Sequence, residues 1–306
     1  MIRLVVRRLL AGAATIACIY TVTFVMVVSL PGNPLQQGQH RIAPEAAAAL
    51  RARYHMDNNW LYFWEFLNGA VQLDFGPTFM YVDWTCNQII ASALPVSALL
   101  GLLAITLAVA VGVPIGVLSA VRRGRWFDGA AVGLVMVGIS VPTFVTGTAL
   151  LIVFAVSLKV APIGGWGTLA HLPLPAITLS LPYIAYITRL TRAGMLDVLG
   201  ADFVRTAMAK GLSRSAAVWR HALTVAFLPV LSYLGPATAQ AMTGSFIVEK
   251  VFGVPGLGQH FVNAALNRDV GLILSTVLVF STMLVAFNLI VDLLHARLDP
   301  RVTESV

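Results

Sequence analysis

The polar residues that could do chemistry in this chain are few, and their spacing argues against enzymatic work. Six histidines, His40, His55, His171, His221, His260 and His295, are scattered. None sits in an H-E-x-x-H or comparable ligand spacing, so no metal site is expected. No Ser-His-Asp set or nucleophile elbow occurs, and no catalytic residue is assigned. The phosphate-cradling pattern G-x-x-x-x-G-K-S/T is absent too, so the chain is not expected to bind ATP by that route. Cys18 lies in an apolar run and Cys86 in a polar stretch. They are expected at different levels of the molecule and unbridged.

What remains suits contact with a partner or a lipid surface. From Asp202 the chain reads Asp-Phe-Val-Arg-Thr-Ala-Met-Ala-Lys-Gly-Leu-Ser-Arg-Ser. Asp202 is a suitable N-cap, Gly211 a suitable residue just past a helix end, and Ser213 a second N-cap. Phe203, Val204, Ala207 and Met208 form an apolar stripe, with Arg205 and Lys210 off it. Two short helices joined at Gly211 are expected. The first either lies among lipid headgroups or fits a groove in a partner protein. Thr238, Gln240 and Thr243 either line a wet cavity or bond a neighbouring helix. Glu249, Asn267, Arg268 and Asp269 are placed near an outer mouth, as substrate contact, gate or plain solvated loop. Asp292 either pairs with Arg297 or snorkels.

The elements that must position these groups are membrane spans. Of 306 residues, 58% are hydrophobic and 11% charged, against about a quarter charged in soluble domains. The net charge of +7 comes from short Arg and Lys clusters between apolar runs. That distribution fits membrane topology and gives no basic face for nucleic acid. Residues Leu9–Leu30 follow Arg3, Arg7 and Arg8 and are long enough to cross a core of about 30 Å. The run exceeds a signal-peptide core and ends in Pro-Gly-Asn-Pro, so it reads as an uncleaved span. Further runs cover Leu94–Val121, Gly129–Leu158, Leu172–Leu190, Val225–Val248 and Gly271–Leu294, several carrying prolines that a bundle tolerates.

Between the first two spans lie about sixty polar residues, expected to hold helices at Pro44–Tyr54 and Trp60–Val71. The aromatic second helix either lies at the membrane boundary or covers a small core. With the N-terminus inside, 14 of the 20 basic residues fall on inner segments, as the positive-inside rule requires. Gly235-Pro236 reads as a static kink or a hinge. Gly112/Gly116 and Gly129/Gly133 read as close-packing pairs, within the chain or against a partner.

The stretch Phe203–Leu212 resembles the cytoplasmic loop of ABC importer permeases, specifically the B-type subunit of oligopeptide and dipeptide permeases. Arg205, Thr206 and Ala207 stand where the wider family carries Glu-Ala-Ala, and Gly211 stands at its glycine; Arg-Thr-Ala is the peptide-permease variant. Leu30-Pro31-Gly32-Asn33-Pro34, Tyr54-His55-Met56-Asp57, Leu73-Asp74-Phe75-Gly76-Pro77, Pro95-Val96-Ser97-Ala98, Gly244–Glu249, Pro255–Gln259, Asn267-Arg268-Asp269 and Leu298-Asp299-Pro300-Arg301 extend the likeness along nearly the whole chain. Tyr-His-Met-Asp leans toward oligopeptide permeases.

The resemblance implies an all-α integral membrane fold, a six-helix type I ABC importer permease with a large extracytoplasmic loop between its first two spans. It divides the chain into a cytoplasmic N-terminus (1–8), first span (9–30), outer segment (31–93), five-helix core (94–294) and cytoplasmic C-terminus (295–306). It also implies a multi-pass place in the bacterial inner membrane and a coupling loop at about 195–224, formed by Asp202, Phe203, Arg205, Thr206, Ala207, Lys210, Gly211, Leu212 and Arg214. Implied partners are a C-type permease, two ATPase subunits carrying ATP and Mg, an extracytoplasmic peptide-binding protein and membrane lipid. Related cargo such as nickel chelates, glutathione or peptide antibiotics stays open. A secondary transporter or a non-transporting membrane anchor are the rival classes. The first would need ionisable groups within the spans and inverted repeats, and only Asp292 stands near an end.

Overall fold

In hydrocarbon every backbone N–H and C=O must be paired within the segment, so apolar runs of this length become helices. A computed structural model describes residues 2–29, 58–81 and 83–298, with the backbone alone for residues 2–4 and 298. Among the described residues the elements are helical, and the one β feature is an isolated bridge between Pro77 and Thr85. The helices are α1 (Ile2–Ser29), α2 (Asn59–Val71), α3 (Cys86–Val121), α4 (Trp126–Ser140), α5 (Thr143–Ser157), α6 (Pro173–Val198), α7 (Asp202–Ala209), α8 (Arg214–Ala226), α9 (Leu228–Met242), α10 (Phe246–Phe252), α11 (Leu257–Asn267) and α12 (Val270–Leu298). The expected helix at Pro44–Tyr54 and the stretches Leu30–Pro34, Tyr54–Asp57 and Asp299–Arg301 lie outside the described residues.

Four helices, α1, α3, α6 and α12, are long and apolar enough to cross a membrane, and up to six spans result if the bent pairs α4–α5 and α8–α9 each count as one. The apolar run Gly129–Leu158 is not one straight rod: it turns by 104° between α4 and α5. Pro142 forces the preceding Val141 out of the helical region, to φ −83 and ψ 125, by the clash of its ring with the residue before it. The run Val225–Val248 is likewise divided. It bends by 56° at Phe227 ahead of Pro229, stops at Met242, and resumes after Gly244 as α10. Pro114 in α3 and Pro182 in α6 interrupt neither helix.

The chain forms two compact units, residues Met1–Ser97 with Pro255–Ala286, and Ala98–Val254 with Phe287–Val306. In the first, α2 begins under the Asn58 side chain, whose Oδ1 accepts from the N–H groups of Trp60 and Leu61. Its Tyr62 and Phe66 are buried with Tyr20 and Phe24 of α1, and the Tyr20 hydroxyl donates to the Phe63 carbonyl at 2.7 Å. Trp60 and Trp64 stay exposed on its other side. The helix thus covers a small core with one side and leaves aromatic rings exposed on the other. Cys18 and Cys86 are both free.

In the second unit α6 is the central post, with much of its length buried. Gly112 and Gly116 of α3 lie directly on it: a Cβ at Gly116 would sit 2.6 Å from the Thr191 Cβ. This glycine pair therefore packs inside the chain. A Cβ at Gly129 or Gly133 would meet nothing within 4 Å, so that pair closes no contact here.

Candidate coupling loop and translocation path

The segment after α6 folds as an elbow because its punctuation is local. α7 ends at Ala209 with Lys210 as its C-cap, and Gly211 follows at φ 91. That conformation costs an L side chain energy and a glycine little. The Gly211 N–H reaches the Met208 carbonyl at 3.0 Å and the Leu212 N–H reaches the Ala207 carbonyl at 3.3 Å, the paired bonds of a Schellman ending. The Ser213 hydroxyl then accepts from Ala216 N–H at 3.2 Å and starts α8. At the other end the N-cap is Ala201, with no side-chain bond, and Asp202 is the first helical residue. Its carboxylate therefore complements the helix start from the first turn rather than capping it.

The apolar stripe of α7 divides. Val204 and Ala207 are buried, and α8 brings Ala217, Val218 and Ala222 into the same interior. Phe203 and Met208 are exposed. Arg205, Lys210 and Arg214 of the same segment are exposed as well. Arg205 lies 3.8 Å from Asp202, a loose pair with side chains 71% and 98% exposed. The elbow is thus seated on α8 by one face and open on the other. α8 is seated in turn on α6, where a Cβ at Gly194 would come 2.5 Å from the Ala226 carbonyl oxygen.

A second anchor of this unit lies between α3, α4 and α6. Asp128 receives Arg192 in a two-pronged pair, Nε to Oδ1 at 2.7 Å and Nη2 to Oδ2 at 2.9 Å. It also accepts from the Ser119 hydroxyl and, at 3.0 Å, from the Gly124 N–H. Two-pronged guanidinium pairs fix orientation as well as distance. Residue type and spacing alone do not announce this pair. The signal was Asp128, an acid set between aromatic and apolar residues at the head of a span.

The groups expected near an outer mouth are placed differently. Asp269 is 1% exposed. One carboxylate oxygen accepts from the Thr78 hydroxyl and from the N–H groups of Phe79 and Met80, both within 2.9 Å. The other caps α12 through Leu272 N–H at 3.1 Å. Burial pushes this carboxyl above its ordinary value while the donors oppose the push. Glu249 is 0% exposed within α10. Asn267 donates to the Asn263 carbonyl at 2.8 Å, and Arg268 ends α11 at φ 57. Of the expected path residues, Gln240 is exposed, Thr238 is half-buried, and Thr243 closes α9 with its hydroxyl on the Gln240 carbonyl at 2.9 Å. Asp292 is half-buried on α12. A Cβ at Gly235 would lie 2.8 Å from the Asn288 side-chain oxygen, so α9 is packed against α12 at Gly235. Among the described residues, no cluster of three metal-ligating side chains occurs.

The chain is similar to known proteins. The family described as the binding-protein-dependent transport system inner membrane component matches residues 112–304. The chain belongs to this family. The permease is 42% identical over 305 residues to the oligopeptide transport system permease protein OppB of Salmonella typhimurium, covering 99% of each chain. It is 40% identical to the dipeptide transport system permease protein DppB of Bacillus subtilis, covering 99% of this chain and 98% of that one. It therefore stands with the oligopeptide and dipeptide permeases as a membrane-embedded ABC importer subunit. In fold it resembles a chain of the MetNI methionine ABC transporter in inward-facing conformations, with TM-score 0.53 and 17% identity, over 67% of this chain and 95% of that one. That likeness supports the type I permease fold and nothing about cargo.

Proposed function

We propose that this permease forms half of the path of an ATP-driven importer that carries oligopeptides, or dipeptides, across the bacterial inner membrane. It pairs with a C-type permease, beneath an extracytoplasmic peptide-binding protein. Two separate ATPase subunits hold ATP and Mg. The chain crosses six times with both termini cytoplasmic, counting each bent pair as one span, and residues 31–93 form a large outer segment whose helical end meets lipid through Trp60 and Trp64. The elbow at Asp202, Phe203, Arg205, Thr206, Ala207, Lys210, Gly211, Leu212 and Arg214 docks in a cleft of an ATPase subunit. ATPase closure then moves the spans as a body.

The observation that carries this reading is the divided stripe of α7. Val204 and Ala207 fasten the helix to its own chain, and exposed Phe203 and Met208, on a segment that also exposes Arg205, Lys210 and Arg214, are left for a partner with an apolar cleft and an acidic rim. Thr238, Gln240 and Thr243 belong to the path, and Asn267 and Arg268 to the outer gate. Buried Glu249 and Asp269 would act there only by holding the gate's backbone.

Replacing Gly211 with a bulky residue tests the coupling. Co-purification with the ATPase subunits and ATP-dependent peptide uptake should both fall. Retention of both would refute it.

A further inference from the structure

A span that meets lipid must be apolar outward, and a polar stripe on it needs water or a polar partner. The second unit carries one outward face of each kind. On α4 and α5 the exposed residues include Leu134, Met136, Val137, Phe144, Ile152 and Val153. On α9 the exposed positions are Pro229, Ser232, Pro236 and Gln240, at helical spacing along one side. The opposite side, Val230, Leu231, Ala237, Ala239 and Ala241, is buried. Beside the stripe, Tyr186 of α6 is 39% exposed and stacks on Tyr233 with ring centroids 5.7 Å apart. The Ser232 hydroxyl lies 2.9 Å from His295 Nε2 and 3.2 Å from the Leu228 carbonyl.

Pro236 adds a backbone acceptor. It has no N–H to return to the Ser232 carbonyl four residues earlier, and so frees that oxygen in the middle of the stripe. The exposed side of α9 holds no acid or base; facing it or beside it are His295, against Ser232, half-buried Asp292, one turn before His295 on α12, and exposed Arg189, one turn beyond Tyr186. We propose that Tyr186, Ser232, Tyr233 and Gln240 form an uncharged hydrogen-bonding rail for the main chain of a peptide in transit. This rests on the transport reading above and names what the path recognises. The Gln240 amide and tyrosine hydroxyls both donate and accept, and the freed carbonyl accepts. Such groups match the alternating N–H and C=O of any peptide, and the two rings pack on side chains irrespective of charge. A rail without full charges gives a charged terminus no deep trap.

The test uses the assembled transporter in membranes, with Cys18 and Cys86 replaced by Ala. Single cysteines are placed at Ser232→Cys and Gln240→Cys, and for comparison at Leu134→Cys and Val137→Cys. The probe is a charged, membrane-impermeant methanethiosulfonate, which reacts with hydrated thiolate. The rail predicts labelling about tenfold faster at 232 and 240 than at 134 and 137, slowed by saturating tri-alanine. It also predicts that Gln240→Leu raises the KM for tri-alanine uptake several-fold, with ATPase subunits still bound. Equal, slow labelling at all four positions would overturn it, as would labelling that tri-alanine leaves untouched. Should the cysteine-free parent fail to take up tri-alanine with ATP, the transport reading falls instead; the labelling contrast would still report whether the stripe is wet.

Discussion

The elbow at residues 202–214 and the turn around Asp269 spend charged side chains in opposite ways. At the elbow, Asp202 and Arg205 are 3.8 Å apart and almost wholly exposed, and Lys210 and Arg214 reach outward. At the turn, one buried carboxylate collects the Thr78 hydroxyl and the N–H groups of Phe79, Met80 and Leu272. Exposed charges of the first kind add little to stability because water and salt screen them. A buried carboxylate with four donors is a joint, since removing it strands every donor. The sequence leaves the first as a headgroup or partner contact and the second as a substrate contact, gate or plain solvated loop. Their burial separates them: the elbow is open to a partner, and Asp269 is already occupied by its own chain.

That contrast can be broken in order of expected effect. Asp269→Ala should destabilise the permease by about 3 kcal/mol or more, because several buried donors lose their acceptor together. Thermal unfolding of the detergent-purified complex would measure it, and an unchanged midpoint would make Asp269 a surface residue in effect. Asp128→Ala should cost roughly 2 kcal/mol, the loss of a two-pronged charge-assisted pair with Arg192. A double-mutant cycle with Arg192→Ala should return much of that cost as coupling; strict additivity would mean the pair is idle.

Gly211→Val should strain the backbone by about 1–2 kcal/mol, since φ 91 is hostile to a β-branched residue. No neighbour lies within 4 Å of its Cβ position, so folding should survive while ATP-driven uptake fails. Comparing uptake with thermal midpoint would show which of the two moves. Arg205→Ala should shift stability by less than about 0.5 kcal/mol. Its effect should appear as weaker, less salt-sensitive binding of ATPase subunits, measured by co-purification across a salt series.

Much of this architecture was legible because it is written in local signals. Apolar run length set the main spans, and Gly211 and Ser213 set the elbow's joints, since a left-handed residue and a hydroxyl cap act within a few residues of themselves. The N-cap was misread by one position because an acid suits both the cap and the first turn, and Ala201 takes the extended conformation without any side-chain bond. The break ahead of Pro142 hides inside a continuous apolar run, and a proline can either ride in a helix, as Pro114 does, or end one. The Asp128–Arg192 joint, 64 residues apart in the chain, depends on how α4 packs against α6. Burial of Glu249 and Asp269 is of the same kind: residue type marks a carboxylate, and only packing decides whether water reaches it.

The most direct measurement changes the open half of α7 and leaves the seated half alone. Phe203→Asp combined with Met208→Asp keeps Val204 and Ala207 in place, so the permease should fold and insert with its thermal midpoint unchanged. Docking predicts that the purified complex then lacks its ATPase subunits and that ATP-driven peptide uptake is lost. A variant that retains both ATPase subunits and normal uptake would contradict the elbow's role as the coupling site.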